Sequence, residues 1–409
     1  VGIGGRQTEL SQIIRDFAAL AYGGQDTQLW FDGRPVSAPG AALANGMTID
    51  SLDMHDGYRP VKGHAGAALV PALLATLSLN RAGPVSGQEF LITLVMGYEV
   101  ALRAGLGLHN TVCDYHTSGA WNALGCAAMT ARRMKLTAEQ TRHALGIAEY
   151  HGPRSQMMRC IDHPTMLKDG SGWGAMAGVS AAMMAASGFT GAPAITVEAD
   201  EVAEYWNDLG DRWLTSDQYF KPYAVCYWAQ PAIAGSLHLQ HTHKVQLDEI
   251  KEIRVFAFHE ATRLATRYPA NTEQAQYSLP FPVAAALVHQ KVEAAELGEA
   301  GRSDPQVRSI IERITLIEDD TCNNHFPQDR LSRVEFEMQD GTVLDSGIQR
   351  SKWDVDQAPP SDEVILEKFR HLAHSYLPTE RANQLEALLW ECDMLADASL
   401  LEGVLAPTL

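Results

Sequence analysis

The sequence predicts a mostly α-helical fold in which a large all-α helical domain carries a smaller α+β unit. Up to about residue 237, one apolar, helix-periodic segment follows another. Alternating, strand-like segments are confined to about 245–355, and helical periodicity returns after Pro359-Pro360. We therefore expect a discontinuous helical domain made of residues 1–240 and 357–409, with residues 241–356 forming an α+β lid domain.

Two kinds of signal predict the helices of the first half. Ser86-Gly-Gln-Glu89 and Thr137-Ala-Glu-Gln140 are capping boxes, each ahead of an apolar periodic run. Three alanine-rich segments are apolar on most faces, which is typical of central helices surrounded by other helices. These segments are 66–80, 119–134 and 172–188.

The strand signals of the second half include one clear hairpin. They lie at 250–258, 314–317, 334–338 and 342–348, and a helix-like segment at 305–313 precedes the second. The last two strands flank Asp340-Gly341, a dipeptide that favours a tight hairpin turn. The segments 362–376 and 379–395 predict two further helices that pack back on the first domain.

Composition and charge exclude several classes of protein. The chain has 409 residues with 32 Lys+Arg against 50 Asp+Glu, a formal net charge of −18, which argues against nucleic-acid binding and against docking on an anionic membrane. The uncharged stretch Gly172–Gly191 is long enough to span a bilayer, but its Gly, Ala, Ser and Met content favours a closely packed buried helix. Six scattered cysteines without a CxxC pair indicate reduced thiols, and the opening residues do not resemble a secretory signal. We expect a cytoplasmic protein.

The densest polar cluster lies directly before the apolar helix predicted at 66–80. Within twelve residues it supplies two carboxylates, two imidazoles, a phenol, an arginine and a lysine: Asp53, His55, Asp56, Tyr58, Arg59, Lys62 and His64. Such a loop can present acid, base and anion-binding groups together. The alternative is a solvated surface loop.

Two further clusters precede helices built of small residues. His116 stands just before the helix predicted at 119–134 and is either a base at a helix N-terminus or a capping residue. Lys168 stands at the start of the next one and is a carboxylate binder, a base whose pKa burial lowers, or a surface lysine. Because Arg59, Lys62, Arg154, Arg159 and Lys168 lie near candidate acids and bases, we expect a locally positive pocket for a small carboxylate.

Metal and nucleotide sites are not expected. Cys113-x-x-His116 and Cys160-x-x-His163 have ligand-like spacing, and His238, His241 and His243 lie close together, but none completes a recognised metal motif. The sequence contains neither a P-loop nor a GxSxG nucleophile elbow.

These motifs together resemble the MmgE/PrpD family, which includes 2-methylcitrate dehydratase, cis-aconitate decarboxylase and iminodisuccinate epimerase. The resemblance covers nearly the whole chain. It depends on Asp53-x-x-Asp56 with Gly63-His64-Ala-Gly66, on Tyr115-His116-Thr-Ser-Gly119, on Lys168 before a Gly/Ala helix, on Lys221-Pro-Tyr-Ala-Val-Cys226, on Tyr277-Ser-Leu-Pro-Phe281, and on the Asp340-Gly341 hairpin.

The resemblance implies a site, free of cofactor and metal, between the two domains. It places Asp53, His64, His116 and Lys168 at positions that the family's active sites use. The expected substrate-binding residues are Arg59, Lys62, Tyr58, Asp56, Arg154, Tyr223, Gln230 and Phe281. The chain departs from the family at Gly57, where the decarboxylase has Thr, at Phe281, where it has Tyr, and at Gln230, where relatives often have His. These departures weaken a decarboxylase assignment.

The reactions of the family share proton transfer at a carbon next to a carboxylate, with the developing charge held by cations. We expect His64 and His116 to transfer protons, Lys168 and Arg59 to hold carboxylates, and Asp53 to orient a histidine or act as an acid. The leading hypothesis is a hydro-lyase similar to 2-methylcitrate dehydratase. The alternatives are an epimerase of an iminodisuccinate-like dicarboxylate, a cis-aconitate-type decarboxylase and a catalytically silent carboxylate-binding protein. The resemblance also implies a homodimer.

Overall fold

Helices dominate the computed structural model, which describes residues 1–79 and 84–407, so the prediction of a mostly α-helical fold is confirmed. The helices of the first 243 residues are Gly2–Gly5, Glu9–Ala21, Ala38–Asp50, Gly66–Ala75, Gly87–Thr111, Gly119–Arg133, Ala138–His151, Met158–Asp162, Ser171–Ala186, Ile195–Glu198 and Gln230–His243. The later helices are His259–Thr262, Thr272–Gln276, Pro280–His289, Ala294–Leu297, Glu299–Arg302, Pro305–Ile311, Asp320–His325, Asp362–His374, Thr379–Trp390 and Leu400–Leu405.

The Ser171–Ala186 helix is buried at the centre of the first half, as its small residues predict. It packs between Ala38–Asp50 and Gly119–Arg133. A Cβ atom added to Gly46 would lie 2.7 Å from the Cα of Gly172, so only glycine allows the two backbones to approach this closely. Packing inside the protein therefore explains the small residues of this helix, whereas residues 187–190 that follow it are exposed.

One predicted capping box and one predicted helix end need correction. The capping box at Thr137 is complete, whereas at Ser86 the side chain accepts from the backbone N–H of Glu89 at 3.2 Å without a reciprocal bond among the described residues. The helix predicted over 66–80 ends at Ala75, because Thr76 turns back and donates its hydroxyl to the carbonyl oxygen of Leu73 at 2.7 Å. Asn80, its predicted end, lies outside the described residues.

The second half contains a four-stranded mixed sheet. Its strands, in spatial order, are Ile314–Glu318, Ile250–Ala257, Ser332–Met338 and Val343–Gln349. The first pair is parallel and the other two are antiparallel, and the hairpin predicted around Asp340-Gly341 is confirmed, with Gly341 at φ +86°. The Gln230–His243 helix packs against the last two strands.

The C-terminal helices pack against the helices of the first half. Ala373, Leu385 and Leu401 belong to the same buried apolar cluster as Leu73 and Leu102. This packing is what a helical domain made from both chain ends requires, and the division into that domain and a lid stays a prediction.

One helix, Gly87–Thr111, is long and apolar enough to cross a membrane by length and composition. Of its most apolar 18-residue window, 56% is buried inside the fold. A helix that is mostly covered by other helices matches the pattern of a core helix.

Candidate active site

A narrow cavity lies where the 53–64 segment meets residues 219–228. The two segments are joined by a short antiparallel pair in which Asp56 faces Phe220 and Gly57 faces Tyr219. Seven charged or acid–base side chains line the cavity besides tyrosines, a cysteine and apolar residues: Asp53, Arg59, Lys62, His64, Asp169, Lys221 and Arg330. This concentration of polar groups suits a small polar molecule.

Asp53 is the buried negative charge of the cavity. It forms an ion pair with Lys221, and the Nε2 atom of His55 lies 3.5 Å from its carboxylate. Burial would raise the pKa of Asp53, but the Lys221 ammonium, with His55 and Lys168, outweighs burial and lowers it. Asp53 is therefore a carboxylate, and the expectation that it acts as an acid does not fit this environment.

His64 is held as a neutral imidazole with one nitrogen available. Its Nδ1 atom lies 2.6 Å from the carbonyl oxygen of Asp56, so Nδ1 carries the hydrogen and Nε2 retains its lone pair. Burial, together with the positive charge of Lys221, holds the pKa of His64 well below its ordinary value. At neutral pH this side chain can accept a proton.

Lys168 lies behind the cavity wall rather than in it. Its Nζ atom donates to Oε1 of Gln276 at 2.7 Å and lies 4.8 Å from the ring centre of Tyr277, which lines the cavity. The same Oε1 atom accepts from the backbone N–H of Asp53 at 2.9 Å. Lys168 therefore acts on the cavity through Gln276, Tyr277 and its charge near Asp53.

Arg330 is a buried cation of the cavity that has no carboxylate partner among the described residues; its guanidinium carbon lies 5.9 Å and 5.8 Å from the ring centres of Tyr227 and Phe326. Its side chain is 2% exposed, and Nε and Nη1 have no hydrogen-bond partner within residues 1–79 and 84–407, while Nη2 donates to the Arg59 carbonyl oxygen at 3.3 Å. A buried guanidinium with unsatisfied donors is costly unless an anion fills the space beside it. Arg59, in contrast, is paired with Asp329 at 3.2 Å and Asp356 at 2.7 Å.

Asp169 is the second carboxyl group of the cavity, and its pKa is raised. It accepts from the backbone N–H of Ser118 at 2.9 Å, and the Ser118 hydroxyl donates to its other oxygen. Burial, and then the nearby Asp50 charge, raise the pKa of Asp169 to about 8 despite these bonds. A carboxyl group whose pKa is raised in this direction can donate a proton near neutral pH.

Of the twelve site residues predicted from the sequence, four line the cavity: Asp53, Arg59, Lys62 and His64. Lys62 lies with its ammonium 5.3 Å from the ring centre of Tyr115, another lining residue. His116 follows Tyr115 in the chain and is buried but does not line the cavity, and its Nδ1 is 2.9 Å from the carbonyl oxygen of Asp114.

The remaining predicted residues support the site or lie away from it. Asp56 accepts from the Tyr98 hydroxyl at 3.0 Å and from the backbone of Gly66 at 3.2 Å, which fixes the start of the following helix. Gln230 donates to the carbonyl oxygen of Tyr223 at 2.9 Å and thereby holds the backbone of that segment. The others are Tyr58, which is buried beneath the loop, Phe281, which is in the apolar core, and Arg154, which lines a separate small cavity.

Sequence reasoning missed three charged residues of the cavity: Lys221, Asp169 and Arg330. Lys221 stands in a motif that carries the family resemblance, and Asp169 follows Lys168 directly, so both had a local signal. Arg330 had none, because it reaches the cavity from the strand-rich segment, far from the other residues in the sequence.

A metal ion does not fit the groups that could hold one. Ligand atoms of Asp53, His55 and His64 lie within 4.8 Å of one another. However, the Lys221 ammonium already pairs with Asp53, and the charge of Lys168 lies nearby. A divalent cation would have to displace one lysine and be repelled by the other.

Replacing Gly57 with alanine is expected to disturb the cavity wall. A Cβ atom there would overlap the phenol of Tyr219 and lie 2.9 Å from Nδ1 of His64. We expect a loss of about 1–3 kcal/mol in the free energy of unfolding, as for other overpacked sites, measured by urea denaturation. Gly23→Ala, where no atom lies within 4 Å of the new Cβ, is the control. Equal stability of the two variants would contradict the close contact.

The stability of the protein is expected to depend on pH through Asp169. Its pKa is raised to about 8, so the folded chain binds more protons than the unfolded chain between about pH 4 and pH 8. This contribution to stability is present at low pH and is lost as the pH rises through 8. We therefore expect the Tm of Asp169→Asn, relative to the unsubstituted protein, to rise by at least about 3 °C between pH 5.5 and pH 8.5. Parallel Tm curves would show that Asp169 ionises normally.

Comparison with known proteins gives matches along most of the chain. Residues 1–205 match the MmgE/PrpD N-terminal domain, and residues 223–392 match the MmgE/PrpD C-terminal domain. A cis-aconitate decarboxylase-like protein of Aspergillus oryzae is 23% identical over 413 residues, covering 90% of this chain and 82% of the relative. The cis-aconitate decarboxylase of Homo sapiens is 24% identical over 436 residues, covering 99% and 87%. That of Aspergillus terreus is 23% identical over 421 residues, covering 92% and 83%.

Proposed function

Because the chain belongs to the MmgE/PrpD family, we propose that it is a lyase that transfers a proton at a carbon next to a carboxylate of a small di- or tricarboxylate. The observation that carries the proposal is the presence, in one cavity, of a neutral imidazole and a buried guanidinium with two hydrogen-bond donors that have no partner among the described residues. His64 supplies the base, and Arg330 supplies a binding group for a substrate carboxylate.

The charge of the cavity favours an anionic substrate. Among the described residues, four lining side chains are cations, Arg59, Lys62, Lys221 and Arg330, against the two lining carboxyl groups Asp53 and Asp169, and the pKa of Asp169 is raised. Lys221 is paired with Asp53, and Arg59 with Asp329 and Asp356, so the excess of positive charge lies at Lys62 and Arg330. In a chain of net charge −18, this local excess of cations attracts carboxylates and orients them by charge-assisted hydrogen bonds. Burial lowers the pKa of Lys62, and the nearby charge of Arg330 lowers it further. These two cations therefore lie close together.

The reaction that we propose first is the elimination of water. Nε2 of His64 takes a proton from the carbon next to a carboxylate, and the electron pair of that C–H bond forms the new C=C bond. The C–O bond to the neighbouring hydroxyl breaks, and the leaving oxygen takes the proton of Asp169 and departs as water. The cations of the cavity hold the negative charge that develops on the carboxylate. His116 does not line the cavity and is given no step in this reaction, so its proton-transfer role stays a prediction from the sequence.

Decarboxylation is the second candidate, and it is favoured by the names of the relatives. The human and the Aspergillus terreus relatives are cis-aconitate decarboxylases at 23–24% identity. The same cavity could protonate a carbanion left by CO₂. Against it stand Gly57 and Phe281, where the resemblance leads us to expect Thr and Tyr in a decarboxylase.

A substrate panel distinguishes these reactions. Methylcitrate, citrate, cis-aconitate and iminodisuccinate are each incubated with the protein, while absorbance of a new C=C bond and release of CO₂ are followed. A hydro-lyase produces absorbance without CO₂, whereas a decarboxylase releases CO₂. Inversion at carbon with neither signal indicates an epimerase, and binding without turnover indicates a silent carboxylate-binding protein. Either of these last two outcomes contradicts the lyase proposal.

A further inference from the structure

Lys368 links the active-site segments from outside the cavity. It lies on the C-terminal helix Asp362–His374, and its Nζ atom donates to the carbonyl oxygen of Met54 at 2.8 Å and to that of Lys221 at 2.7 Å. The first carbonyl belongs to the 53–64 segment and the second to the 219–228 segment. One ammonium group therefore holds together the backbones of the two segments that form the cavity.

The two carbonyls lie next to the central ion pair of the site. Met54 directly follows Asp53, and the second carbonyl is that of Lys221 itself. Each carbonyl that Lys368 binds therefore belongs to, or lies next to, one partner of the Asp53–Lys221 ion pair. A change in the distance between the two carbonyls would move both charged groups. Catalytic groups displaced by about 1 Å can cost a hundredfold in rate.

The unfavourable position of the Lys368 charge indicates that this side chain does more than stabilise the fold. Burial, and then the charge of Lys221, lower the pKa of Lys368 to about 8, so the protein holds two cations close together at a cost. An apolar side chain of similar length would avoid that cost, since buried charges are often replaced by apolar residues without loss of stability. The side chain that is present can instead reach two carbonyl oxygens at once.

We propose that Lys368 is a positioning residue of the active site, which fixes the separation of the segments bearing Asp53 and Lys221. The helix Asp362–His374 thus supports the active site, although Lys368 does not line the cavity. By the clamp we mean the two hydrogen bonds from the Lys368 ammonium to the carbonyls of Met54 and Lys221. The clamp is inferred from these contacts, and its effect on turnover rests on the proposed function.

The test compares Lys368→Met with Arg313→Met. Arg313 also bridges two backbone carbonyls, those of Leu247 at 2.8 Å and Ile250 at 2.7 Å, but it does so away from the cavity, so it is a matched control. Hydrogen–deuterium exchange is measured by mass spectrometry on both full-length variants. We expect at least tenfold faster exchange in residues 53–58 and 219–224 of Lys368→Met only. In the same variant, kcat should fall tenfold to a hundredfold with KM within threefold, and Lys368→Arg should restore part of the loss.

Several outcomes would overturn the proposal. Unchanged exchange in both segments of Lys368→Met would show that the clamp does not position them, and unchanged kcat would show that the positioning has no catalytic effect. Failure of Lys368→Met to fold under conditions where Arg313→Met folds would assign Lys368 to stability instead. If the unsubstituted protein turns over no carboxylate, the exchange result still decides the clamp, and the failure belongs to the proposed function.

Discussion

The Arg330→Met variant is expected to lose substrate binding while keeping or gaining stability. Two buried donors of Arg330, on Nε and Nη1, have no partner in the described part of the chain, so a substrate carboxylate can receive a charge-assisted bond from one of them. A hydrogen bond to a charged group contributes about 1.5–3 kcal/mol, so we expect kcat/KM to fall by a factor of about ten to one hundred, mainly through KM. Removing an unpaired buried cation should leave Tm unchanged or higher.

Arg267→Met is the matched control for Arg330→Met. Arg267 donates to the carbonyl oxygens of Ile311 at 2.8 Å and Ile314 at 2.7 Å, outside the cavity. Its removal should lower Tm and leave kcat/KM unchanged, which is the opposite pattern. Steady-state kinetics and differential scanning fluorimetry measure both quantities. A large loss of Tm in Arg330→Met with little change in KM would mean that Arg330 is a structural residue.

The second large effect is expected for His64→Gln. Removing a general base typically costs about two to four orders of magnitude in rate, and we expect that loss in kcat with KM changed little. His64 lines the cavity with a free Nε2, whereas His116 does not line it, so His116→Gln should lose at least ten times less activity than His64→Gln. Because the pKa of His64 is held well below its ordinary value, the acid limb of kcat/KM should lie below pH 6.5.

Measurement of both variants from pH 5 to pH 9 decides the assignment of the base. Circular dichroism of each variant controls for folding. If His116→Gln loses more activity than His64→Gln, the roles of the two histidines must be exchanged. An acid limb above pH 6.5 would mean that another group is the base.

Elements with a local sequence signal were predictable. The hairpin at Asp340-Gly341 and the buried helix Ser171–Ala186 follow from turn chemistry and small-residue content, which act within a few residues. The exact end of the helix that begins at Gly66 was not predictable, because the hydroxyl of Thr76 competes for a backbone carbonyl inside an apolar run.

The site was predictable only where its residues are close in sequence. Asp53 and His64 were found because they share one dense cluster, and both line the cavity. Arg330 reaches the same cavity from 266 positions beyond His64, a proximity that only tertiary packing creates. Conversely, Gln230 and Phe281 stand near motif residues, yet they support the backbone and fill the core, since a motif does not show which side chains face the cavity.

The proposed proton transfer is tested most directly by proton NMR in D₂O. The unsaturated acid that the elimination would form is incubated with the protein, because the reverse addition of water delivers a solvent deuteron to the carbon next to a carboxylate, and His64→Gln is the control. We predict that deuterium appears at that carbon in the hydrated acid, and that His64→Gln slows this incorporation by at least about a hundredfold. Hydration without deuterium at that carbon, or equal incorporation by the two proteins, would contradict proton transfer by His64.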